Sequence, residues 1–196
     1  MVAHQVPPWF IDSCKKIKYM FPKGHAVAYV TMALRVAWYK VYYPQAYYSA
    51  YFTIRGDGFD ACTMLLPMDQ LNARIKEFKR LDQEKKLSAK EQTEITAMEM
   101  VREMMARGYH FLPADLYKSD AVRFLPEGEK DLRVPFSSLG GLGVSAAQGL
   151  VEARSIPFVS VEDLKNRARV SSAVIELLRG QGCLNSLSET SQLSLF

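Results

Sequence analysis

The chain of 196 residues is 48% hydrophobic, 23% charged and 11% aromatic. These values are typical of folded soluble proteins and exclude a disordered, collagen-like or coiled-coil chain. The length suits one domain of ordinary size or two small ones.

The cysteine pattern favours a reducing, cytoplasmic setting, because the three cysteines lie far apart and match neither a disulfide framework nor a zinc spacing. They are Cys14, Cys62 and Cys183. The N-terminus has no secretory pattern. The most apolar stretch, residues 26–43, contains Arg35 and Lys40, so we predict a buried helix of a soluble protein and no membrane span.

Charge is uneven along the chain, whose net charge is +4. Residues 1–56 contain seven Lys or Arg and a single acid, Asp12, whereas the remaining residues hold 18 basic and 20 acidic side chains. This asymmetry indicates that the first third faces an anionic partner such as phosphate. A solvated lysine-rich face gives the same pattern.

Helical periodicity predicts elements over most of the first half. We expect helices over residues 9–19, 26–43 and 47–52, with a loop at 21–25 and a stop at Pro44. Two polar amphipathic helices follow at 71–81 and 88–107. Ser88 and Glu91 form a capping box at the start of the second one, and Gly108 ends it.

The second half begins with a short extended segment at residues 109–113. Strand-like residues 122–125 and 132–136 predict a small β-hairpin, closed by a turn at 127–130. Three helices follow at 145–154, 160–167 and 172–179. After Leu187 the composition becomes polar, which predicts a mobile tail. The fold is therefore predicted to be mainly α, with domains at 1–121 and 122–187 and a tail at 188–196.

A glycine turn at residues 139–143 is the most informative local pattern. Gly141 and Gly143 allow a tight turn directly before a helix, where freed amides suit a phosphate oxygen. Leu139, Leu142 and Ala147 are candidates for an apolar clamp beneath the turn. This pattern resembles the helix-hairpin-helix motif, which binds duplex DNA through its backbone. A plain tight turn is the alternative. The region 160–184, with Gly180 and Gly182, is a candidate second copy.

Two further segments carry candidate binding residues. Lys23 and His25 stand at a helix start, where a point charge, an imidazole and a helix N-terminus suit a triphosphate. A structural histidine is the alternative. The C-terminal residues Gln192, Leu193, Leu195 and Phe196 have the character of a peptide ligand for another protein. A frayed end is the alternative.

Four segments of the chain, taken in order, resemble the C-terminal region of a PolC-type DNA polymerase III alpha subunit. They are residues 21–29, residues 112–115, the glycine turn and residues 192–196. These subunits are bacterial family C replicative polymerases. The resemblance covers essentially the whole chain. It implies a helical distal fingers segment, a tandem helix-hairpin-helix domain with a small β-hairpin between them, and a clamp-binding tail.

The resemblance also assigns roles to residues. It implies contacts of Lys23, His25 and Tyr29 with the incoming deoxynucleoside triphosphate. It implies duplex DNA binding by Gly141, Gly143, Val144 and Ser145, and sliding-clamp (beta subunit) binding by Gln192, Leu193, Leu195 and Phe196. Gly140 departs from the pattern, because many such motifs have proline there.

The acidic palm residues that hold two metal ions in this family have no equivalent before residue 21. We therefore expect a fragment or one part of a split polymerase that is inactive alone, binds no cofactor, and uses Mg²⁺ only together with the remainder of the polymerase. The resemblance implies four partners: duplex DNA, a deoxynucleoside triphosphate, the sliding clamp and the remainder of the polymerase. It implies no membrane partner. The alternative is a non-catalytic DNA-binding clamp adaptor. Such an adaptor would not need a nucleotide site in the first 60 residues. A small-molecule enzyme has little support, because no paired carboxylates or nucleophile cluster is present.

Overall fold

The computed structural model describes residues 1–17, 23–56 and 58–190. The chain divides into two units, Met1–Tyr42 and Tyr43–Phe196. The first unit contains a 3₁₀ turn, Val2–His4, and the helices α1 (Pro8–Lys16) and α2 (Lys23–Tyr42). Proline residues mark the start of α1 and the end of α2. Pro8 is the first residue of α1, and Pro44 disfavours a helical conformation at Tyr43, after α2.

Helix α2 differs from the sequence expectation in two ways. It begins at Lys23, so residues 23–25 form its first turn and are not part of a loop, while Phe21 and Pro22 lie outside the described residues. The prediction of a buried helix is wrong, because none of its residues is buried and Leu34 is 65% exposed. An apolar run in the sequence shows that a helix has apolar side chains to bury, but it does not show that another element packs against them. No helix in the described ranges is long and apolar enough to cross a membrane.

Four helices open the second unit: α3 (Pro44–Arg55), α4 (Ala61–Met64), α5 (Met68–Gln83) and α6 (Ala89–Ala106). The three longer ones confirm the predicted helices. The capping box is present, since the Ser88 hydroxyl accepts from the Glu91 amide and the Glu91 carboxylate accepts from the Ser88 amide. Gly108 follows with a φ of +80°. Helix α4 was not predicted, and Asp60 caps it by accepting from the Thr63 amide at 2.9 Å.

A three-stranded sheet in the order β1-β3-β2 follows α6. Strand β1 (His110–Leu112) is parallel to β3 (Asp131–Arg133), and β3 is antiparallel to β2 (Leu125–Glu127). The hairpin is confirmed, but its strands are shorter than predicted. Asp120 accepts hydrogen bonds from two following amides, those of Val122 and Arg123, each at 2.9 Å, and this local turn delays the strand until Leu125.

A polar stripe on α3 ties the hairpin to that helix. Gln45, Ser49 and Thr53 recur every four residues and therefore share one face. The Gln45 amide donates to the Asp131 carbonyl at 2.8 Å, the Ser49 hydroxyl donates to the Phe124 carbonyl, and the Thr53 hydroxyl accepts from the Phe124 amide at 3.0 Å. These bonds tie the backbone of the hairpin to α3.

Three helices complete the unit: α7 (Val144–Ala153), α8 (Val161–Ala168) and α9 (Ser172–Gly180). They match the predicted helices to within a residue, and the Ser160 hydroxyl caps α8 through the Asp163 amide at 3.1 Å. One hydrophobic core runs through this unit and includes Tyr48 of α3, Leu132 of β3 and Leu164 of α8. The predicted division at residues 121 and 122 stays a prediction.

Candidate nucleic-acid interface

The glycine turn joins the 3₁₀ turn Phe136–Ser138 to α7. Gly141 has a φ of +96°, a conformation that residues with a side chain rarely adopt. The Leu142 amide donates to the Leu139 carbonyl at 3.0 Å and closes the turn. Apart from chain neighbours, no heavy atom of the described residues lies within 4 Å of the point where a Cβ on Gly141 or Gly143 would stand. The turn therefore has the predicted tight geometry and an open outer face.

The N-terminus of α7 leaves backbone donors free beside this turn. Gly143 is the N-cap residue and provides no side-chain cap, and the first intrahelical bond runs from the Ala147 amide to the Gly143 carbonyl at 3.0 Å. Within the described chain, no hydrogen bond uses the amides of Val144 and Ser145. Both residues are exposed. These amides and the positive end of the helix dipole are suited to a phosphate oxygen.

Apolar side chains hold the turn from behind. Leu139, Leu142 and Ala147 are 1%, 3% and 0% exposed, as expected for the predicted apolar clamp. Further along α7, Gly149 allows α7 to approach α8 closely, because a Cβ on it would stand 2.9 Å from the Ala168 carbonyl oxygen of α8. The turn is thus carried by a packed pair of helices.

The second helix pair of this region is α8 and α9, joined by residues 169–171. Arg169 ends α8 in the left-handed conformation, with a φ of +54°. The glycine pair that suggested a second hairpin lies later: Gly180 ends α9, and Gly182, with a φ of +74°, belongs to the turn after it. Glycine is common at helix C-termini as well as in hairpins. The glycine pair therefore led to a wrong position for the connection between the two helices.

Two arginines near α7 serve the fold. Arg154 donates to the carbonyls of Leu116 and Ser119, and Arg167 donates to the carbonyls of Ala153, Ile156 and Pro157. The Arg167 guanidinium also contacts the Asp163 carboxylate at 3.0 Å and lies 4.7 Å from the centre of the Phe158 ring. Because both of its Nη nitrogens are engaged by the fold, Arg167 is not a candidate phosphate ligand, whereas Arg154 is held through Nη1 alone.

Four charged residues of the first half lie beside the glycine turn, and sequence reasoning missed all of them. Asp60, Arg74, Lys90 and Glu94 line the same cleft, of about 650 Å³, as residues 137–143. They stand between 49 and 83 residues upstream of Gly143, and in the sequence they resemble the other charged residues around them. Only the fold brings them to the turn, so no local signal could have found them.

The candidate nucleotide-binding residues lie together on the first turns of α2. The rings of His25 and Tyr29 are one helical turn apart, with centroids separated by 4.5 Å. Lys23, His25 and Tyr29 are all exposed. They belong to the first unit, whereas the glycine turn belongs to the second.

The candidate clamp-binding residues Gln192, Leu193, Leu195 and Phe196 lie outside the described residues. The chain just before them is bound to α8. The Val161 amide donates to the Ser188 carbonyl at 2.8 Å, and the Glu162 amide donates to the Glu189 carbonyl at 3.2 Å. Ser188 and Glu189, which the sequence assigns to a mobile tail, thus satisfy two first-turn amides of α8.

Metal ligands form no group of three or more His, Cys, Asp or Glu side chains in the parts of the chain that the structure describes. The expectation that Mg²⁺ requires upstream carboxylates stays a prediction.

Comparison with known protein families identifies a known motif in the sequence of the second unit. A family model described as a helix-hairpin-helix motif matches residues 108–193. This match includes the sheet, the glycine turn and the helices α7 to α9.

Similarity to longer proteins extends over the whole chain. The chain is 50% identical over 193 residues, 98% of its length, to the DNA polymerase III PolC-type of Thermotoga petrophila. It is 50% identical to that of Clostridium perfringens and 47% identical to that of Listeria monocytogenes, in both cases over 100% of the chain. The chain spans only 13–14% of the length of these relatives. It is therefore similar over its whole length to one segment of PolC-type DNA polymerase III, and its residues 108–193 match the helix-hairpin-helix motif.

Proposed function

We propose that this chain acts as a segment of a bacterial replicative DNA polymerase of the PolC type, in which it binds the backbone of duplex DNA without reading sequence. The observation that carries this proposal is the pair of exposed residues Val144 and Ser145, whose amides form no hydrogen bond within the described chain, beside an open glycine turn. Such donors recognise the phosphodiester, which is the same at every base pair. The helix-hairpin-helix match and the PolC-type homologues support it.

A charge placed at the turn tests the proposal. Ser145→Glu puts a carboxylate at the second position of α7, where it interacts favourably with the helix dipole and leaves the fold intact. The same carboxylate repels a phosphate. We expect affinity for a fluorescent 20-base-pair duplex, measured by anisotropy at low salt, to fall by about tenfold, which corresponds to about 1.4 kcal/mol.

The matched control is Asn72→Glu, which makes an equal charge change at an exposed position of α5 that does not line the cleft of the glycine turn. We expect it to change affinity by less than about twofold, the effect of general charge alone. Affinity of the unaltered chain should also fall as salt rises. Equal losses in both variants, or binding that is independent of salt, would contradict the proposal.

The nucleotide contacts form the second part of the proposal. Lys23, His25 and Tyr29 contact the triphosphate of the incoming nucleotide when the rest of the polymerase is present. Their grouping at the N-terminal end of α2 supports this role. With a palm-containing fragment added, we expect a deoxynucleoside triphosphate to protect Lys23 from acylation. No protection at saturating nucleotide and DNA would exclude the role.

Clamp binding is the third part. Gln192, Leu193, Leu195 and Phe196 bind the sliding clamp, with the glutamine bonding backbone groups and the three apolar side chains filling a pocket. Removal of Leu195 and Phe196 should abolish binding of the chain to immobilised clamp. Removal of Met1 and Val2, two residues at the opposite terminus, is the control and should have no effect. Unchanged binding after the C-terminal deletion would dismiss this assignment.

The chain alone should not polymerise, because polymerisation requires carboxylates that hold two metal ions. Primer extension by this chain with Mg²⁺ and nucleotides would contradict that expectation. The alternative, a non-catalytic clamp adaptor, has no use for the Lys23 and His25 nucleotide site in the first 60 residues. Homology with the polymerases covers 98–100% of the chain and so includes that region, which favours the polymerase segment.

A further inference from the structure

The cleft beside the glycine turn has a second wall made by α5 and α6. Residues 137–143 line one side, and Arg74 of α5 and Lys90 of α6 line the other. In the described part of the chain, neither cation forms an ion pair with an acidic side chain. Both residues are exposed. The cleft therefore offers two free positive charges next to the proposed phosphate site.

The position of Lys90 is not explained by the stability of α6. Lys90 is the second residue of that helix, where the positive end of the dipole disfavours a cation. Arg74, by contrast, is held in place: its guanidinium carbon lies 4.7 Å from the centre of the Phe78 ring, which is 6% exposed. A fixed guanidinium loses less side-chain entropy when it binds an anion.

Two acidic residues, Asp60 and Glu94, also line the cleft and affect its charge. Asp60 is engaged, because its Oδ2 accepts from the Thr63 amide and hydroxyl at 2.9 and 3.0 Å. Glu94 has no hydrogen-bond partner among the described residues. Burial raises its pKa above the ordinary value, with Arg74 opposing that change and Asp60 adding to it. Accepting these bonds leaves the negative charge of Asp60 in place, and its Oδ1 lies 3.4 Å from the point where a Cβ on Gly140 would stand. The cleft therefore holds two basic and two acidic side chains, and what it offers a phosphate is the unpaired donors of Arg74 and Lys90, not an excess of positive charge.

We propose that Arg74 and Lys90 bind a backbone phosphate of the same duplex that the glycine turn holds, so that the DNA-binding surface extends from α7 onto α5 and α6. This inference rests on the proposed function. Glu94 faces the same phosphate and weakens its binding. The ligand is the phosphodiester backbone of DNA, and a free triphosphate, which offers the same chemistry, is distinguished in the test.

Charge-neutralising variants of the whole chain test the inference. We expect Arg74→Gln and Lys90→Gln each to weaken binding to a fluorescent duplex by about fivefold and to reduce the salt slope of log affinity by about one. Glu94→Gln should strengthen binding by about two- to threefold. The controls are Lys76→Gln and Glu77→Gln, exposed residues of α5 that do not line this cleft, which should change affinity by less than about twofold.

Each outcome decides the inference. Losses of the same size for Lys76→Gln and Arg74→Gln would mean that only total charge matters, and would overturn it. Weaker binding after Glu94→Gln, or an effect of Arg74→Gln on a fluorescent triphosphate and not on the duplex, would also overturn it. If Ser145→Glu abolishes binding while the cleft variants have no effect, this inference fails and the proposed function stands. If neither set has an effect, both fail.

Discussion

Gly149 of α7 faces the backbone carbonyl of Ala168, the last residue of α8, so closely that a Cβ on it would stand 2.9 Å from that oxygen. A backbone carbonyl at a helix end cannot rotate away as a side chain can. The packing of α7 against α8 therefore leaves no room for a side chain at position 149.

Gly149→Ala should destabilise the second unit by about 1–3 kcal/mol, because α7 and α8 must separate to accept the methyl group. Equilibrium unfolding in urea measures this change. Gly180→Ala, at a helical glycine with nothing within 4 Å of the added Cβ, is the control and should stabilise by about 0.5–1 kcal/mol. If both substitutions stabilised the protein, the close approach of α7 to α8 would be disproved.

The ion pair of Arg133 and Glu127 is the most buried one among the described residues. The arginine side chain is 9% exposed, and two of its nitrogens donate to the carboxylate at 2.8 and 2.7 Å. Glu127→Gln should destabilise by about 2 kcal/mol at pH 7, because it leaves the guanidinium without its charged partner. Glu99→Gln, which breaks the exposed pair with Lys79, should cost less than about 1 kcal/mol.

The same pair predicts a pH dependence. Hydrogen bonds from Arg133, and secondly from Lys118, lower the pKa of Glu127 to about 2 from its ordinary value of 4.5. The folded state therefore favours the ionised form, and the stabilisation is present above pH 4.5 and is lost as the pH falls toward 2. The stability difference between the unaltered protein and Glu127→Gln should shrink over this interval. A difference that stays constant from pH 5 to pH 2.5 would contradict the assignment.

Arg167 is expected to act in folding and not in DNA binding. Arg167→Lys keeps the charge but cannot reach three carbonyls and a carboxylate at once, so it should destabilise by about 1–3 kcal/mol. Arg169→Lys is the matched control and should be neutral in urea unfolding. DNA affinity and its salt slope should be the same for both variants under conditions where both are folded; a reduced slope for Arg167→Lys alone would assign it to the interface.

Cys183 and Cys62 should differ in thiol reactivity. Cys183 is buried, its thiol contacts the Ala114 carbonyl at 3.2 Å, and burial raises its pKa to about 11. Cys62 is exposed. In the folded protein at pH 8, a thiol reagent should modify Cys62 rapidly and Cys183 only at the rate of unfolding. Peptide mapping by mass spectrometry separates the two, and rapid labelling of Cys183 without denaturant would show that the core near Ala114 is open.

Local features of the fold were predictable from the sequence because their partners are close along the chain. The cap at Ser88 needs only a residue three positions later, and the glycine turn is defined by five consecutive residues. These predictions are confirmed.

Features that depend on distant partners were not predictable. The parallel pairing of β1 with β3 joins residues about 20 positions apart, and the exposure of α2 depends on what lies against it. The placement of Arg74 and Lys90 at the glycine turn depends on the packing of α5 and α6, which no spacing in the sequence encodes. Hydrophobic periodicity identified the elements, but tertiary packing decided their neighbours.

In the proposed function, the glycine turn and the start of α7 contact the DNA backbone. Titration of the ¹⁵N-labelled chain with duplex DNA, followed through the backbone amide signals, tests it most directly. We expect the amide signals of Gly141, Gly143, Val144 and Ser145 to shift as the duplex is added and to return as salt is raised. Unmoved signals from these four amides at saturating DNA, while amides elsewhere shift, would contradict it.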